Sequence, residues 1–201
     1  MAAHENFSPQ ILQRVAKEVR QLATNPPDGI RLLEQDSLAE IHVELRGPEE
    51  TPYVGGFFEV KLLLTDGFPT TPPKGVFLTK IFHPNIAPNG DICVNTLKRD
   101  WSADLDLSHV LQVIRCLLIV PFPESSLNDE AGKLFMECYD EYARRAKILT
   151  DIHATKSKFK TTDAGSNAVS SAPKRARDES VDDQAVARKK KLAKKKGLQR
   201  L

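Results

Sequence analysis

Long apolar runs are missing from this chain. The longest, "CLLIV" at residues 116–120, is far short of the roughly 20 apolar residues that cross a bilayer, so no membrane span is expected. The N-terminal stretch "MAAHENFSPQ" lacks a basic region followed by an apolar one, which speaks against a secretory signal and for a protein that stays inside the cell. Cysteine is scarce and unpaired in pattern. Cys93, Cys116 and Cys138 form an odd count at wide spacings, with no CxxC pair and no adjoining histidine cluster, which argues against a disulfide framework and a structural zinc site. No glycine-rich phosphate loop occurs either, so no bound nucleotide or metal is expected.

What is present is enough for a core. With 201 residues, 40% of them apolar, the chain has room for one domain and an appendage. Its net charge of +2 hides an asymmetry. Residues 1–153 carry 15 Lys and Arg against 22 Asp and Glu, a net of −7, whereas residues 154–201 carry 14 against 5, a net of +9. An acidic body is followed by a basic tail.

Hydrophobic periodicity divides the body. Ile11, Leu12, Val15, Val19 and Leu22 recur at helical spacing after Ser8 and Pro9, which suit an N-cap and a first helical position. "NPPDG" at residues 25–29 ends that helix. "GIRLL", "AEIHVELRG", "GGFFEVKLLL" and "KGVFLTKI" then give about four strands joined by short loops, for which an antiparallel meander is the economical topology. Residues 82–101 show no periodicity, and a loop of that length inside a compact domain is often functional. Helical patterns return at residues 107–119, with Asp106 or Ser108 as cap, and as a pair over residues 128–153. The fold class expected is α+β: an N-terminal helix, a four-stranded antiparallel meander, a long loop and C-terminal helices. Residues 154–201 have almost no apolar periodicity and are read as a disordered tail.

Within the aperiodic loop, "HPNIAPNGDIC" places Cys93 behind two prolines and Asn-Gly. A cysteine with a pKa of about 8.5 is only a few per cent thiolate at neutral pH, and protease thiols rely on a partner histidine. Of five histidines, His83 is nearest, but it precedes a proline in a turn. It reads as a structural residue before it reads as a base. Thioester exchange suits such a thiol, because it trades one thiol leaving group for another of similar energy. The alternative reading of each cysteine is a small buried hydrophobe, which is the expectation for Cys138.

"HPNIAPNGDICVNTLKRDWSADLDLSHVL" resembles the active-site region of the ubiquitin-conjugating enzymes, in which His-Pro-Asn is followed by the catalytic cysteine eight residues after the asparagine. The resemblance runs over residues 7–153 and includes "GPEETPYVGGFFEVKLLL", "FPTTPPKG" and "PESSLNDEAGKLF". "LTKIFHPN", "CVNTLKRDW" and a Lys-rich tail ending in "LQRL" are most similar to S-type members, which extend ubiquitin chains through the lysine at ubiquitin position eleven with the anaphase-promoting complex. The resemblance implies that Cys93 holds ubiquitin as a thioester and that Asn85 donates to the oxyanion formed on attack by a lysine amine. Asn85 also reads as a loop-stabilising turn residue. Asp129 would orient and desolvate the amine, against the plain alternative of a carboxylate at a helix N-terminus. Cys116 falls on the face that meets donor ubiquitin, and Arg14, Lys17 and Arg20 on the face that meets the activating enzyme. Trp101 and Leu97 read as packing residues.

Departures from the family pattern carry weight. Members that modify lysines directly often have a tyrosine where this chain has Ala87, so a carboxylate from acceptor ubiquitin is expected to complete the site. Thr70 and Ala103 stand where ligase-docking loops often have an apolar anchor and a proline, which implies weak generic RING recognition. The tail's Leu198, Arg200 and Leu201 are the expected ligase-docking end, with Gln199 in place of a common arginine. "KRAR" and "RKKK" also read as a bipartite nuclear import signal, giving nuclear and cytoplasmic localisation. Phe159 is the tail's only aromatic, so base stacking on nucleic acid is disfavoured. The expected partners are therefore donor and acceptor ubiquitin, the activating enzyme, which consumes the ATP, and the anaphase-promoting complex or another ligase. An inactive binding module of the same fold, or a nucleic-acid binder acting through the tail, are the alternatives; the presence of both Asn85 and Cys93 argues against the first.

Overall fold

The computed structural model describes residues 7–99 and 101–155. Helix α1, Pro9–Thr24, starts as its sequence requires: Ser8 is extended and its hydroxyl accepts the Ile11 N–H, with proline in the first turn. Val15 and Leu22 are its buried residues.

Strands β1 (Ile30–Leu32), β2 (Glu40–Arg46), β3 (Phe57–Leu63) and β4 (Lys74–Phe77) form one antiparallel sheet in the order β1-β2-β3-β4. In β3 burial alternates along the whole strand, as one solvated face demands. In β2 alternation lapses at Glu44, which is 3% exposed between Val43 and Leu45. The fourth strand is shorter than its sequence suggests. Both Leu78 and Thr79 donate their N–H groups to Glu59 O, so the chain leaves the ladder after Phe77.

Helices α2 (Val94–Lys98), α3 (Leu107–Leu117), α4 (Asp129–Glu137) and α5 (Tyr139–His153) follow. The core joins Ile41, Val43, Leu45, Phe58, Val60 and Leu62 of the sheet with Leu107, Val110, Leu111, Ile114 and Leu117 of α3. Each such fully buried side chain contributes roughly 1.5–3 kcal/mol relative to exposure. Gly75 makes the close contact possible: a Cβ there would lie 2.7 Å from Ile92 Cδ1 and 3.3 Å from Ile114 Cδ1.

Three expectations need correction. The aperiodic residues 82–101 contain α2, whose five residues are too few for periodicity to reveal, and isolated bridges His83↔Ile86, Ile86↔Ile92 and Val76↔Asp91. Cys138 is exposed and not in the core, because it is the residue between α4 and α5, with φ −151° and ψ 77°. The packed body also reaches past His153. Ala154 is 1% exposed and its carbonyl accepts the Phe57 N–H at 2.7 Å. The expected disordered tail otherwise lies outside the described residues.

Candidate active site

The loop that carries Cys93 folds back on itself. Ala87 N–H donates to Asp91 O at 2.9 Å, and Gly90 N–H to Ala87 O at 2.8 Å, which makes residues 87–90 a turn with Pro88 as its second residue. Gly90 has φ +94°, and a Cβ there would meet Phe77 O at 2.1 Å. Only glycine fits. Asn89 closes the turn by accepting the Asp91 N–H on its side-chain oxygen, and Lys74 pairs with the Asp91 carboxylate at 3.0 Å. The Lys74 ammonium holds that carboxyl below its usual range. The fold-back returns Cys93 to Asn85, whose carbonyl accepts the Cys93 N–H at 3.0 Å. The cysteine is 5% exposed and directly precedes α2.

Asn85 is fully buried, and its carboxamide is bonded at both ends. Nδ2 donates to Phe122 O at 2.6 Å and to Ser125 O at 3.0 Å, while Oδ1 accepts the Phe122 N–H at 2.8 Å. Next to it, Pro84 O accepts the N–H groups of Leu127 at 2.8 Å and Asn128 at 3.1 Å. The His-Pro-Asn segment therefore clamps residues 122–128 beside the cysteine loop. The stabilising role foreseen for Asn85 is present, and donation to an oxyanion would have to exchange one of its two Nδ2–H bonds.

His83 is a structural residue. Its Nδ1 accepts the Asn85 N–H at 3.0 Å and its Nε2 donates to Leu117 O at 2.8 Å, at 0% exposure. Burial pushes its pKa down from 6.5 to about 4. The neutral form is the folded one, so the unfolded chain binds more protons between these values and stability falls as pH drops through that window. At pH 4 the loss from this residue is about 3 kcal/mol relative to pH 7. In urea titrations across that range, His83→Gln is expected to show a shallower decline in midpoint than the parent; parallel declines would remove the assignment.

Asp129 opens α4 one residue after Asn128, whose side chain caps the helix by accepting the Ala131 N–H. Of the two carboxylates in that first turn, Glu130 pairs with Arg145 of α5, whereas Asp129 is exposed and has no partner among the described residues. Asp129 thus follows directly on a backbone anchored at Pro84, the residue before Asn85. Cys116 is exposed on α3, opposite the buried stripe. Lys17 and Arg20 are exposed on α1, but Arg14 is turned inward: it pairs with Glu18 at 2.7 Å and donates to Ala103 O and Leu105 O. Leu97 is buried, and the Trp101 indole donates to Pro69 O at 2.9 Å; both are packing residues. Leu198, Arg200 and Leu201 lie outside the described residues.

Sequence reasoning missed the partners of Asn85, which are backbone atoms 37 and 40 positions away, and the inward turn of Arg14. For the latter, the i,i+4 spacing to Glu18 was the available signal. Among the described residues no group of His, Cys, Asp or Glu is arranged to hold a metal ion. The assembled chemistry is a nearly buried thiol in a rigid loop, with the nearest imidazole already committed at both nitrogens. Such a thiol is suited to exchange with another thioester.

Comparisons with known proteins agree. The family model described as "Ubiquitin-conjugating enzyme" matches residues 14–150. The chain is 50% identical over 198 residues to the "Ubiquitin-conjugating enzyme E2 S" of Nematostella vectensis, covering 98% of this chain and 96% of that one. It is 48% identical over 206 residues to the "Ubiquitin-conjugating enzyme E2 S-B" of Xenopus laevis, covering 98% of each. Among solved structures, a putative ubiquitin conjugating enzyme from Plasmodium yoelii aligns with a TM-score of 0.68 at 31% identity, covering 75% of this chain and 99% of that one. With the cysteine loop, the sheet and the helices all in place, the chain belongs to the ubiquitin-conjugating enzymes, transferases that work through a cysteine thioester.

Proposed function

We propose that the chain elongates ubiquitin chains, passing ubiquitin from Cys93 to the lysine at position eleven of an acceptor ubiquitin, in concert with the anaphase-promoting complex. In the first step the Cys93 sulfur attacks the thioester carbonyl on the activating enzyme. A new C–S bond forms, the old one breaks, and the Cys93 proton leaves with the departing thiol. ATP is spent by the activating enzyme upstream. In the second step a lysine amine attacks the Cys93 thioester carbonyl, the C–N bond forms, the Cys93 thiolate leaves, and the amine loses a proton. With a reference pKa near 10.4, that amine must be deprotonated and partly desolvated first. Asp129 orients it, and Asn85 supplies an amide hydrogen to the oxyanion.

The observation that carries this reading is the composition of the site. Its loop holds a thiol, a committed imidazole and a small residue, Ala87, as its turn opener, so the exposed carboxylate of Asp129 is available to the amine and the small Ala87 leaves room for a further carboxylate from the substrate. Similarity to relatives named E2 S along 98% of the chain, tail included, supports the ligase pairing. The basic tail serves docking and nuclear import, which gives nuclear and cytoplasmic localisation. Reconstituted chain synthesis with the anaphase-promoting complex tests the proposal, with linkages read by mass spectrometry. The full chain is expected to make mainly linkages through position eleven, and removal of residues 197–201 is expected to cut ligase-dependent extension at least tenfold while charging at Cys93 stays within twofold. Equal losses in extension and charging, or a mixture of linkages, would refute it.

A further inference from the structure

Arg14 is the most heavily used side chain on α1. Its Nε donates to Glu18 Oε1 at 2.7 Å, Nη1 to Ala103 O at 2.6 Å and Nη2 to Leu105 O at 2.7 Å. The second Glu18 oxygen accepts the N–H of Leu107, the first residue of α3, at 2.9 Å. One ion pair on α1 therefore holds two carbonyls of the segment before α3 and one of the orphan N–H groups at the start of that helix. The guanidinium also lies 5.6 Å from the centroid of the Phe68 ring, and Trp101 ties its own segment to Pro69 O. Helix α1, the loop around Phe68 and the turn before α3 converge on a single cation.

The turn itself is under-specified by its sequence. Leu105 N–H donates to Ser102 O at 3.0 Å, so Ala103 and Asp104 are its central residues. Ala103 occupies the position at which proline, with φ fixed near −65°, would pre-form the turn, and alanine leaves that backbone free to unfold. The guanidinium supplies from outside the restraint that the residue itself does not.

We propose that Arg14 is a positioning residue: a latch that stands in for a turn proline and makes α1 and the Ser102–Leu105 turn one body. Resting on the reading above that α1 meets the activating enzyme, this assigns Arg14 a different part from Lys17 and Arg20. Those present charge to the partner; Arg14 shapes the surface beside them through the turn. A cation that merely contacted the partner would be replaceable by lysine, whereas the latch needs the planar fork that reaches two carbonyls at once.

The test uses the full chain and combines amide hydrogen exchange over residues 102–107 with charging kinetics under the activating enzyme. Arg14→Gln and Arg14→Lys are both expected to raise exchange at Leu105 and Leu107 about tenfold, and adding Ala103→Pro to Arg14→Gln is expected to restore the Leu105 protection to within about threefold. Any rise in the charging KM of Arg14→Gln should be reversed by Ala103→Pro, while the KM rise of Lys17→Gln should not. Unchanged exchange in Arg14→Lys would overturn the latch, as would a KM defect that persists after Ala103→Pro has restored protection. If Lys17→Gln and Arg20→Gln leave KM untouched, the reading of α1 as the activating-enzyme face fails, and the exchange data still decide on the latch.

Discussion

Asn85→Ala is expected to lower the melting temperature by about 10 °C and to slow transfer of ubiquitin from Cys93 to a lysine about 100-fold, while thioester formation falls less than about tenfold. The reason lies in what the carboxamide holds. Its removal strips partners from Phe122 N–H, Phe122 O and Ser125 O, and each orphaned backbone group costs about 1–3 kcal/mol when water does not replace the partner. Phe122 and Ser125 are half-buried, so water recovers part of this, leaving a loss of about 3–4 kcal/mol. For a domain of this size each kcal/mol moves the midpoint by about 2–4 °C. The kinetic split follows from the same bonds. Charging needs the thiol and its loop, which is held from the other side by Gly90 and the Ala87 turn; on the role proposed above for Asp129, transfer also needs residues 122–128 in register, because Asp129 follows directly. Asn85→Asp is the sharper variant, since it keeps the Oδ1 acceptor but turns a carboxylate oxygen toward two carbonyls. It is expected to be no more stable than the alanine variant. A melting temperature within about 2 °C of the parent, together with a 100-fold transfer defect, would show that the carboxamide acts on the reaction alone and not through the clamp.

Particular elements show what the sequence could and could not disclose. Helix α1 was readable because its cap, its proline and its apolar spacing all agree, and the agreement of local signals is what makes a segment legible. The β2–β3 pair was readable because β3 has one wet face and alternates throughout. Helix α2 was not, since five residues contain little more than one turn. Cys138 misled because its core assignment rested on the general tendency of cysteine to be buried, while the chain breaks at that residue between α4 and α5 and turns Tyr142, not the cysteine, into the core. For the site the division is chemical. The cysteine, the asparagine and the glycine turn could be named from spacing and family resemblance, because they are close in sequence. The clamp could not, because its acceptors are main-chain atoms of a distant segment and main-chain atoms leave no residue signature. Arg14 shows the same limit from the other direction: the family resemblance implied a surface contact, and only the fold reveals carbonyls 89 and 91 positions away that claim it first.

The second large effect is the most direct one. Cys93 is one of three free cysteines, and Cys116 and Cys138 are both more exposed than it is. Exposure alone would favour either of them as the acceptor; the loop geometry favours Cys93, because its backbone N–H is the one held by the Asn85 carbonyl in a loop shaped by Gly90 and Pro88. Incubation with the activating enzyme, ubiquitin and ATP, followed by a nonreducing gel, separates the three. The full chain, Cys116→Ala and Cys138→Ala are expected to form an adduct that reductant cleaves. Cys93→Ala is expected to form none, and Cys93→Ser to form an oxygen ester that reductant leaves intact. A reductant-sensitive adduct that survives in Cys93→Ala, or disappears in Cys116→Ala, would contradict the assignment of Cys93 as the residue that carries ubiquitin.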